Sequence, residues 1–383
     1  MTEKPVPEVS HAGDGDAGDR AARARAPRAS LFRIVGAGAV LVAGTAFFLH
    51  FVHRFYPIQH WLFWIYAKAW VAAGGFFVSC LVAGNALLVR TLRRTLPLGE
   101  HLVTSFALGA FAFFLLMFGF GVLGLVRPWL FFVVPSLLIA AGARPAHRIG
   151  KRLYRHLRAL MRKPRRPLSP LEILVGVAGC VGVLLLYLPT LTPANISYDA
   201  RWYHIPIAEH YVALGAIVKF QEGWFLGAYP HLASLYYMWA LLLPKSSYFD
   251  KVELIAHLEV LFFLVTLVGI PAIVRLLLPR TRAPVAWAAM FLFPGIFAYD
   301  SSLIAGADHI AALWAIPLFT LLVRLLKTSS RSFAGLFAVM VAGALDTKVT
   351  AITIFLPPVL VVLAVFSFRL VRPARGGSRR TPA

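Results

Sequence analysis

The sequence predicts an all-α, polytopic transmembrane protein of about ten spans, and three observations predict this class. Of its 383 residues, 59% are hydrophobic and only 14% are charged, a balance outside the range of soluble domains. Apolar runs of roughly 17 to 25 residues follow one another, each long enough to cross a bilayer core of about 30 Å as a helix. Basic residues fall in the gaps between these runs.

Ten apolar runs are the predicted spans. They cover approximately residues 31–52, 62–89, 101–126, 128–143, 170–190, 253–278, 285–303, 307–326, 332–346 and 350–369. The fourth and the ninth are short, so either also fits a half-span or a re-entrant segment.

The distribution of charge predicts the orientation. The net charge of +22 would suggest a nucleic-acid partner if the basic residues formed one solvent face, but they are divided among the gaps. With a cytoplasmic N-terminus, one side of the membrane receives all but eight of the 38 Lys and Arg residues. This positive-inside asymmetry supports ten spans with both termini in the cytoplasm. We expect the membrane to be the inner (plasma) membrane of the cell envelope.

Composition divides the chain into five segments. Residues 1–30 have the composition of a disordered cytoplasmic tail, and residues 31–145 form an N-terminal block of four spans. A basic linker, 146–169, predicts a helix on anionic headgroups, with nucleic acid as the alternative partner. A membrane module, 170–370, and a basic tail, 371–383, complete the chain. Two cysteines, each inside a span, predict no disulfide framework and no cysteine metal site.

One long loop, from about Leu191 to Val252, lies on the outer side in this topology. Its "ARWYHIPIAEHYVALG" predicts a short helix ending at Gly215, with Asp199 at or near the N-cap and Pro206 opening a second segment or kinking the helix. "AYPHLASLYYMWALLLP" predicts a second helix. Because Trp and Tyr settle at headgroup level, we expect two juxtamembrane helices on the outer leaflet above a cavity.

Ionisable side chains collect at the same outer level. Asp199 could act as a general base on an incoming hydroxyl, or it could cap the helix that follows. Charges near the membrane boundary cost free energy, so those later in the chain call for an explanation. These are Asp300, Asp308, His309, Asp346 and Lys348. The alternative is that short loops need polar residues, with Asp346 and Lys348 neutralising each other.

Other site chemistries have weaker patterns. The outward histidines 204, 210, 231 and 309 lack a recognised metal-ligand spacing, so a metal site remains open. Phosphate-binding loops of the GxGxxG and Walker types are absent from the sequence, which argues against a nucleotide-driven pump.

Four stretches together resemble one family. "YDARWYHIPIAEHYVALGAI", "YPHLASLYYMWALLL", "GADHIAALWAIPLF" and "AGALDTKVTAI" resemble the membrane-embedded GT-C glycosyltransferases, especially the bacterial relatives of protein O-mannosyltransferases and aminoarabinose transferases. The resemblance covers about residues 170–370 and implies sugar transfer, of hexosyl or mannosyl type, from a polyprenyl-phosphate donor to an outer acceptor. The sole cofactor it leaves open is a divalent metal ion.

The resemblance also implies roles for individual residues. Asp199 matches the acidic residue of the first outer loop, Asp308 the second acidic position, and Lys348 a basic residue near the lipid phosphate. Arg201 is the alternative cation. Tyr198, Trp202, Tyr203, His204 and His309 would complete the substrate site.

Two departures from the family leave other functions open. Family members usually continue through at least one more span, and the four N-terminal spans have no counterpart. A non-catalytic GT-C-like subunit of a larger membrane complex, or a site completed by a partner membrane subunit, is therefore the alternative. Transporters, flippases and polymerases of lipid-linked glycans would place polar residues or broken helices near mid-membrane in both halves.

Overall fold

The computed structural model describes residues 16–92, 95–162, 167–192, 197–220, 223–279, 290 and 305–371, and within these the regular elements are helices. The longer helices are α1 (Asp16–Phe55), α2 (Leu62–Thr91), α3 (Leu98–Val122), α4 (Leu130–Arg162), α5 (Pro170–Tyr187), α6 (Ile205–Leu214), α7 (Leu232–Leu241), α8 (Tyr248–Leu277), α9 (Asp308–Thr328), α10 (Arg331–Thr347) and α11 (Ile352–Val371).

Eight helices within the described residues are long and apolar enough to cross a membrane. The candidate spans are Val35–Phe55, Leu62–Thr91, Leu98–Val122, Leu130–Arg162, Pro170–Leu191, Tyr248–Leu277, Asp308–Thr328 and Val349–Phe368. The chain is therefore a polytopic helical membrane protein. Each of these helices corresponds to one of the ten predicted spans. The predicted seventh span, 285–303, lies outside the described residues except for Met290, and the predicted ninth is the 17-residue α10.

Two segments are more helical than the sequence analysis expected. The segment 16–30, expected to be part of a disordered tail, belongs to α1. The basic stretch expected to form a separate helix continues α4 without a break as far as Arg162, past Pro145. Ala, Arg, Lys and Leu all have high helix propensity, so a helix once begun extends through them. Arg152 Nη2 donates to Leu96 O at 2.6 Å and fixes this extension to the chain before α3.

The chain divides into two compact units, Met1–Ile65 and Tyr66–Ala383. The first contains α1, a short 3-10 turn and the start of α2, where the indole of Trp64 donates to Ile58 O of the turn at 2.7 Å. The second contains the rest of α2 and α3 to α11. In it α3, from the four-span block, packs directly on α7, α8 and α9, so the sequence boundary near 145 does not separate two packed bodies.

The core of the second unit is aromatic. Phe76 of α2, Phe106 and Phe113 of α3, and Phe262 of α8 are fully buried against one another. Glycines allow the closest backbone approach: a Cβ on Gly84 would lie 1.7 Å from Ser105 O. Small residues at such crossings allow the van der Waals packing that holds helices together within lipid.

α7 lies inside the bundle, and all ten of its residues are buried. Tyr236 donates its hydroxyl hydrogen to Ala110 O at 2.8 Å, and the Trp239 indole donates to Phe131 O at 3.0 Å. These bonds join α7 to α3 and α4. The expectation that α7 rests on the outer leaflet is therefore wrong: its aromatic polar atoms are satisfied by neighbouring backbones rather than by headgroups.

An ion pair near the C-terminus of α9 shows how α9 runs relative to α3. Arg324, near the C-terminus of α9, donates through Nε and Nη2 to Glu100 Oε2 at 2.8 and 2.7 Å. Glu100 is at the N-terminus of α3, so α3 and α9 are antiparallel. Asp308 begins α9 at the opposite end of the bundle.

Candidate functional site

The predicted loop helix is capped by Ser197 rather than by the Asp199 side chain. Ser197 Oγ accepts a hydrogen bond from Ala200 N at 3.2 Å, whereas the Asp199 side chain makes no cap bond. A single π turn spans Ala200–His204 and leads into α6, where Pro206 lies in the first turn. Gly215 ends α6 at φ +73°, as predicted. The alternative that Asp199 merely caps this helix is therefore wrong, because Ser197 performs that function.

Three residues meet at the end of the bundle where α9 begins. The Lys348 ammonium lies 2.9 Å from Asp199 Oδ2 and 2.8 Å from Asp308 Oδ1, and it donates to Gly306 O at 3.0 Å. We call Asp199, Asp308 and Lys348 the carboxylate–lysine cluster. The side chains of Asp199 and Asp308 are 40% and 50% exposed, against 10% for Lys348, so a buried cation presents two accessible carboxylates.

The end of α10 positions Lys348. Trp314 of α9 donates its indole N–H to Thr347 Oγ1 at 2.9 Å, and Thr347 donates to Gly343 O at 2.6 Å. The indole ring occupies the space beside Gly343, where an added Cβ would lie 2.6 Å from a ring carbon. Because Thr347 directly precedes Lys348, this contact determines where the lysine leaves the helix.

The turn before α9 is strained and is held from both sides. Ala305 and Ala307 have φ of +67° and +64°, a left-handed conformation that costs a non-glycine residue roughly 1–2 kcal/mol. Glu259 of α8, fully buried, accepts from Ala307 N at 2.9 Å and from the Tyr237 hydroxyl. Lys348 binds Gly306 O from the other side. Glu259 and Lys348 therefore hold Asp308 in position.

Tyr203 and His204 extend the site inward. The Tyr203 hydroxyl donates to Asp199 Oδ2 at 3.4 Å, and burial raises the Tyr203 pKa to about 12. His204 is fully buried, with Nδ1 3.4 Å from Ser234 Oγ. Burial is the main cause that lowers the His204 pKa to about 3, and the nearby positive charge of Lys348 is the second. This imidazole is therefore neutral at physiological pH. Burial would by itself lower the Lys348 pKa, but bonds to Asp308 and Asp199 raise it above its usual value.

Four other predicted site residues lie in different surroundings. Tyr198 and Trp202 stack on each other at 5.6 Å and are exposed, forming an aromatic surface beside it. Arg201 is also exposed. His309 is buried with its ring 5.1 Å from Phe263. Asp300 lies outside the described residues.

Sequence reasoning missed the acidic residues of α8. Glu253 and Glu259 are buried within the span "VELIAHLEVLFF", and Glu259 supports the strained turn. Glu253 Oε1 lies 3.4 Å from His257 Nδ1, and His257 Nε2 lies 3.0 Å from the Tyr187 hydroxyl. The signal was present in the sequence, because ionisable residues inside an apolar span are rare and are usually buried against a partner.

A cavity of about 420 Å³ lies close to the cluster. α3 contributes Phe114, Leu115 and Phe118. The remaining lining residues are Tyr211, Ile217, Tyr229, His231, Leu235 and Asp346. Tyr229 packs edge-on against Tyr203, with 6.0 Å between ring centroids. One aromatic ring therefore separates the cavity from the tyrosine that bonds Asp199.

The residues near the cluster do not fit a divalent cation. No three His, Cys, Asp or Glu side chains in the described part of the chain are grouped as a metal site. Asp199 and Asp308 both bind the Lys348 ammonium, which occupies the place a shared cation would take. A Mg²⁺ or Mn²⁺ site needs about six oxygen ligands. The chemistry below therefore uses the protein side chains alone.

Comparison of the chain with models of known protein families, with curated proteins and with solved structures finds no match. The class that fold and site define is a polytopic helical membrane protein with a carboxylate–lysine cluster at one end of its bundle.

Proposed function

We propose that the chain is a GT-C-type membrane glycosyltransferase that transfers a sugar from a polyprenyl-phosphate-linked donor to an acceptor on the extracytoplasmic side. The observation that carries this proposal is the convergence of three separate segments, in which the carboxylates of Asp199 and Asp308 both lie within hydrogen-bond distance of the Lys348 ammonium. Keeping three charged groups together beside apolar helices costs free energy, and a reacting site is a reason to retain them.

The proposed reaction is a displacement with inversion. Asp199 accepts the proton of the acceptor hydroxyl, whose oxygen forms a bond to the anomeric carbon. The bond from that carbon to the phosphate oxygen breaks, and the electron pair leaves with the polyprenyl phosphate. Lys348 neutralises the developing charge of the phosphate, because a cation beside the leaving group stabilises that charge in the transition state. Asp308 holds the lysine, and Tyr198 and Trp202 offer a stacked face to a sugar.

Two consequences follow for partners and location. The donor and the surrounding membrane lipids reach the site from the bilayer, so no nucleic acid takes part. The cluster faces the extracytoplasmic side of the plasma membrane when both termini are cytoplasmic.

The test uses purified protein reconstituted with a panel of synthetic polyprenyl-phosphate hexoses, with release of polyprenyl phosphate as the readout. Asp199→Asn should lower turnover by about 10²-fold or more, since a positioned general base contributes that much. The matched control is Glu209→Gln, which alters another carboxylate of the same loop, one that bonds the Tyr248 side chain. Equal turnover of Asp199→Asn and Glu209→Gln would remove Asp199 from the mechanism.

One observation favours the alternative, a non-catalytic GT-C-like subunit of a larger complex. Lys348 is already bound by two carboxylates and one carbonyl, so the cation must exchange partners before it can hold a phosphate. If no donor in the panel is consumed and the chain instead copurifies with a membrane partner that Asp199→Asn does not release, the subunit function replaces the enzymatic one.

A further inference from the structure

Asp346 has no partner among the residues that the structure describes. The sequence leaves open that Asp346 and Lys348 neutralise each other, but Lys348 is bound by Asp199 and Asp308 instead. In the described part of the chain, Asp346 has no hydrogen bond or ion pair. It is partly buried and lines the 420 Å³ cavity among mainly apolar side chains. A carboxylate in apolar surroundings is stabilised only when hydrogen-bond donors are supplied to it.

The cavity has the chemistry of a small polyol site. Phe114 and Phe118 give apolar aromatic faces, and Tyr211, Tyr229 and His231 bring polar atoms to the same space. Tyr211 and His231 already bond each other, Oη to Nδ1 at 2.9 Å, so their positions are fixed. Aromatic rings beside a few converging polar groups, in a cavity of about 300–1,000 Å³, are typical of small-molecule sites.

We infer that this cavity is the acceptor subsite and that it binds a saccharide, whose hydroxyls donate to the unpaired Asp346 carboxylate. The inference rests on the proposed function and names its acceptor class: a sugar hydroxyl rather than a hydroxyl of a protein side chain.

The cavity also lies on the side of the proposed base. Tyr229 lines it and packs on Tyr203, which bonds Asp199. A pyranose resting on Phe114 with one hydroxyl toward Asp346 would be separated from Tyr203 by the ring of Tyr229. This volume holds one or two sugar rings, and a bulky folded protein segment does not enter it.

The binding experiment requires no donor. The full-length protein in nanodiscs is mixed with a panel of methyl glycosides and disaccharides, and saturation-transfer NMR reports which of them bind. Asp346→Leu removes the acceptor oxygens at similar size, and Leu235→Trp fills the cavity from α7. Asp346→Leu should weaken saccharide binding about tenfold or more, the usual loss when a hydrogen bond to a charged group disappears. Leu235→Trp should weaken it at least as much, because the indole takes up the space of the ligand.

Two matched controls accompany these variants. Glu209→Gln removes a carboxylate of α6 that does not line the cavity, and Val268→Trp adds the same indole to an exposed position of α8. Both should bind saccharide as the unaltered protein does. Circular dichroism and thermal unfolding check that Leu235→Trp folds; if it does not, Asp346→Leu alone decides.

The outcomes separate this inference from the proposed function. Saccharide binding that Asp346→Leu abolishes supports the subsite even if no donor is ever turned over. Sugar transfer to a peptide or protein acceptor, unaffected by both cavity variants, overturns the subsite while the enzymatic function stands. Absence of saccharide binding in the unaltered protein, binding of simple amines instead, or displacement by polyprenyl phosphate alone also overturns it.

Discussion

Replacing Glu259 with leucine should loosen the turn that carries Asp308. Glu259 Oε1 accepts from Ala307 N and from the Tyr237 hydroxyl, and both donors are buried. Leaving a buried donor unsatisfied costs about 1–3 kcal/mol, so the loss of both should destabilise the protein by about 2–6 kcal/mol. The left-handed residues Ala305 and Ala307 would then lose the contact that opposes their strain.

Glu259→Gln is the matched control. Its amide oxygen can replace Oε1 for both donors, and its nitrogen would take the place of Oε2, which already has no hydrogen-bond partner in the described structure. The new amide N–H groups find no acceptor there, which costs about 1–3 kcal/mol, so we expect Glu259→Gln to lose less stability than Glu259→Leu, which leaves two donors of the turn unsatisfied.

The measurement is unfolding by SDS titration in mixed micelles, with hydrogen exchange of a peptide that covers residues 305–310. Glu259→Leu should lower the unfolding free energy more than Glu259→Gln does, and it should speed exchange in that peptide, whereas Glu259→Gln keeps the acceptor of Ala307 N and should leave exchange there unchanged. Equal stability of the two variants would refute the idea that Glu259 holds the turn.

Three further predictions concern packing, protonation and topology. Gly343→Ala should lower the unfolding free energy by about 1–3 kcal/mol, because the added Cβ meets the Trp314 ring. Gly335→Ala on the same helix meets nothing within 4 Å and should leave the unfolding free energy unchanged. Equal unfolding free energies of the two variants would contradict this. The pKa of His204 is lowered from 6.5 to about 3 in the folded state, so its contribution to stability is complete above pH 6.5 and is lost as the pH falls. At pH 5 the unfolding free energy should have fallen by about 2 kcal/mol. His204→Gln should not show this fall in a pH series of unfolding experiments. A parallel pH dependence in both proteins would assign the effect elsewhere. Cysteines introduced at the exposed Lys245 and Lys327 in a Cys180→Ala background should react with an impermeant maleimide from opposite sides of the membrane, and labelling from one side would overturn the orientation.

The fold class and part of the site could be predicted because they depend on local signals. Apolar run length determines which segments can span a bilayer, and Gly215 and Pro206 mark the ends of α6 by their own backbone preferences. The meeting of Asp199, Asp308 and Lys348 was anticipated from their common level in the topology, because alternating spans bring such positions to one side.

What the sequence could not predict depends on tertiary packing. The aromatic residues of α7 suit a membrane interface as well as a core, and only the carbonyls of α3 and α4 decide between the two. Asp199 and Ser197 are both good N-cap residues, and the choice of Ser197 depends on where Lys348 lies. The sequence also could not predict which carboxylate pairs with Lys348. Nearness in sequence favours Asp346, whereas the fold places Asp199 and Asp308 beside the ammonium.

Ion pairs hold both ends of α9, Arg324 with Glu100 at one and Asp308 with Lys348 at the other. Sixteen residues at about 1.5 Å of rise each put these anchor points about 24 Å apart along the helix axis. A helix tethered at both ends cannot slide along the bilayer normal to match lipids of another chain length. A mismatch between helix length and bilayer thickness therefore strains the two ion pairs, and the acyl-chain length of the lipid affects the carboxylate–lysine cluster without any bound ligand.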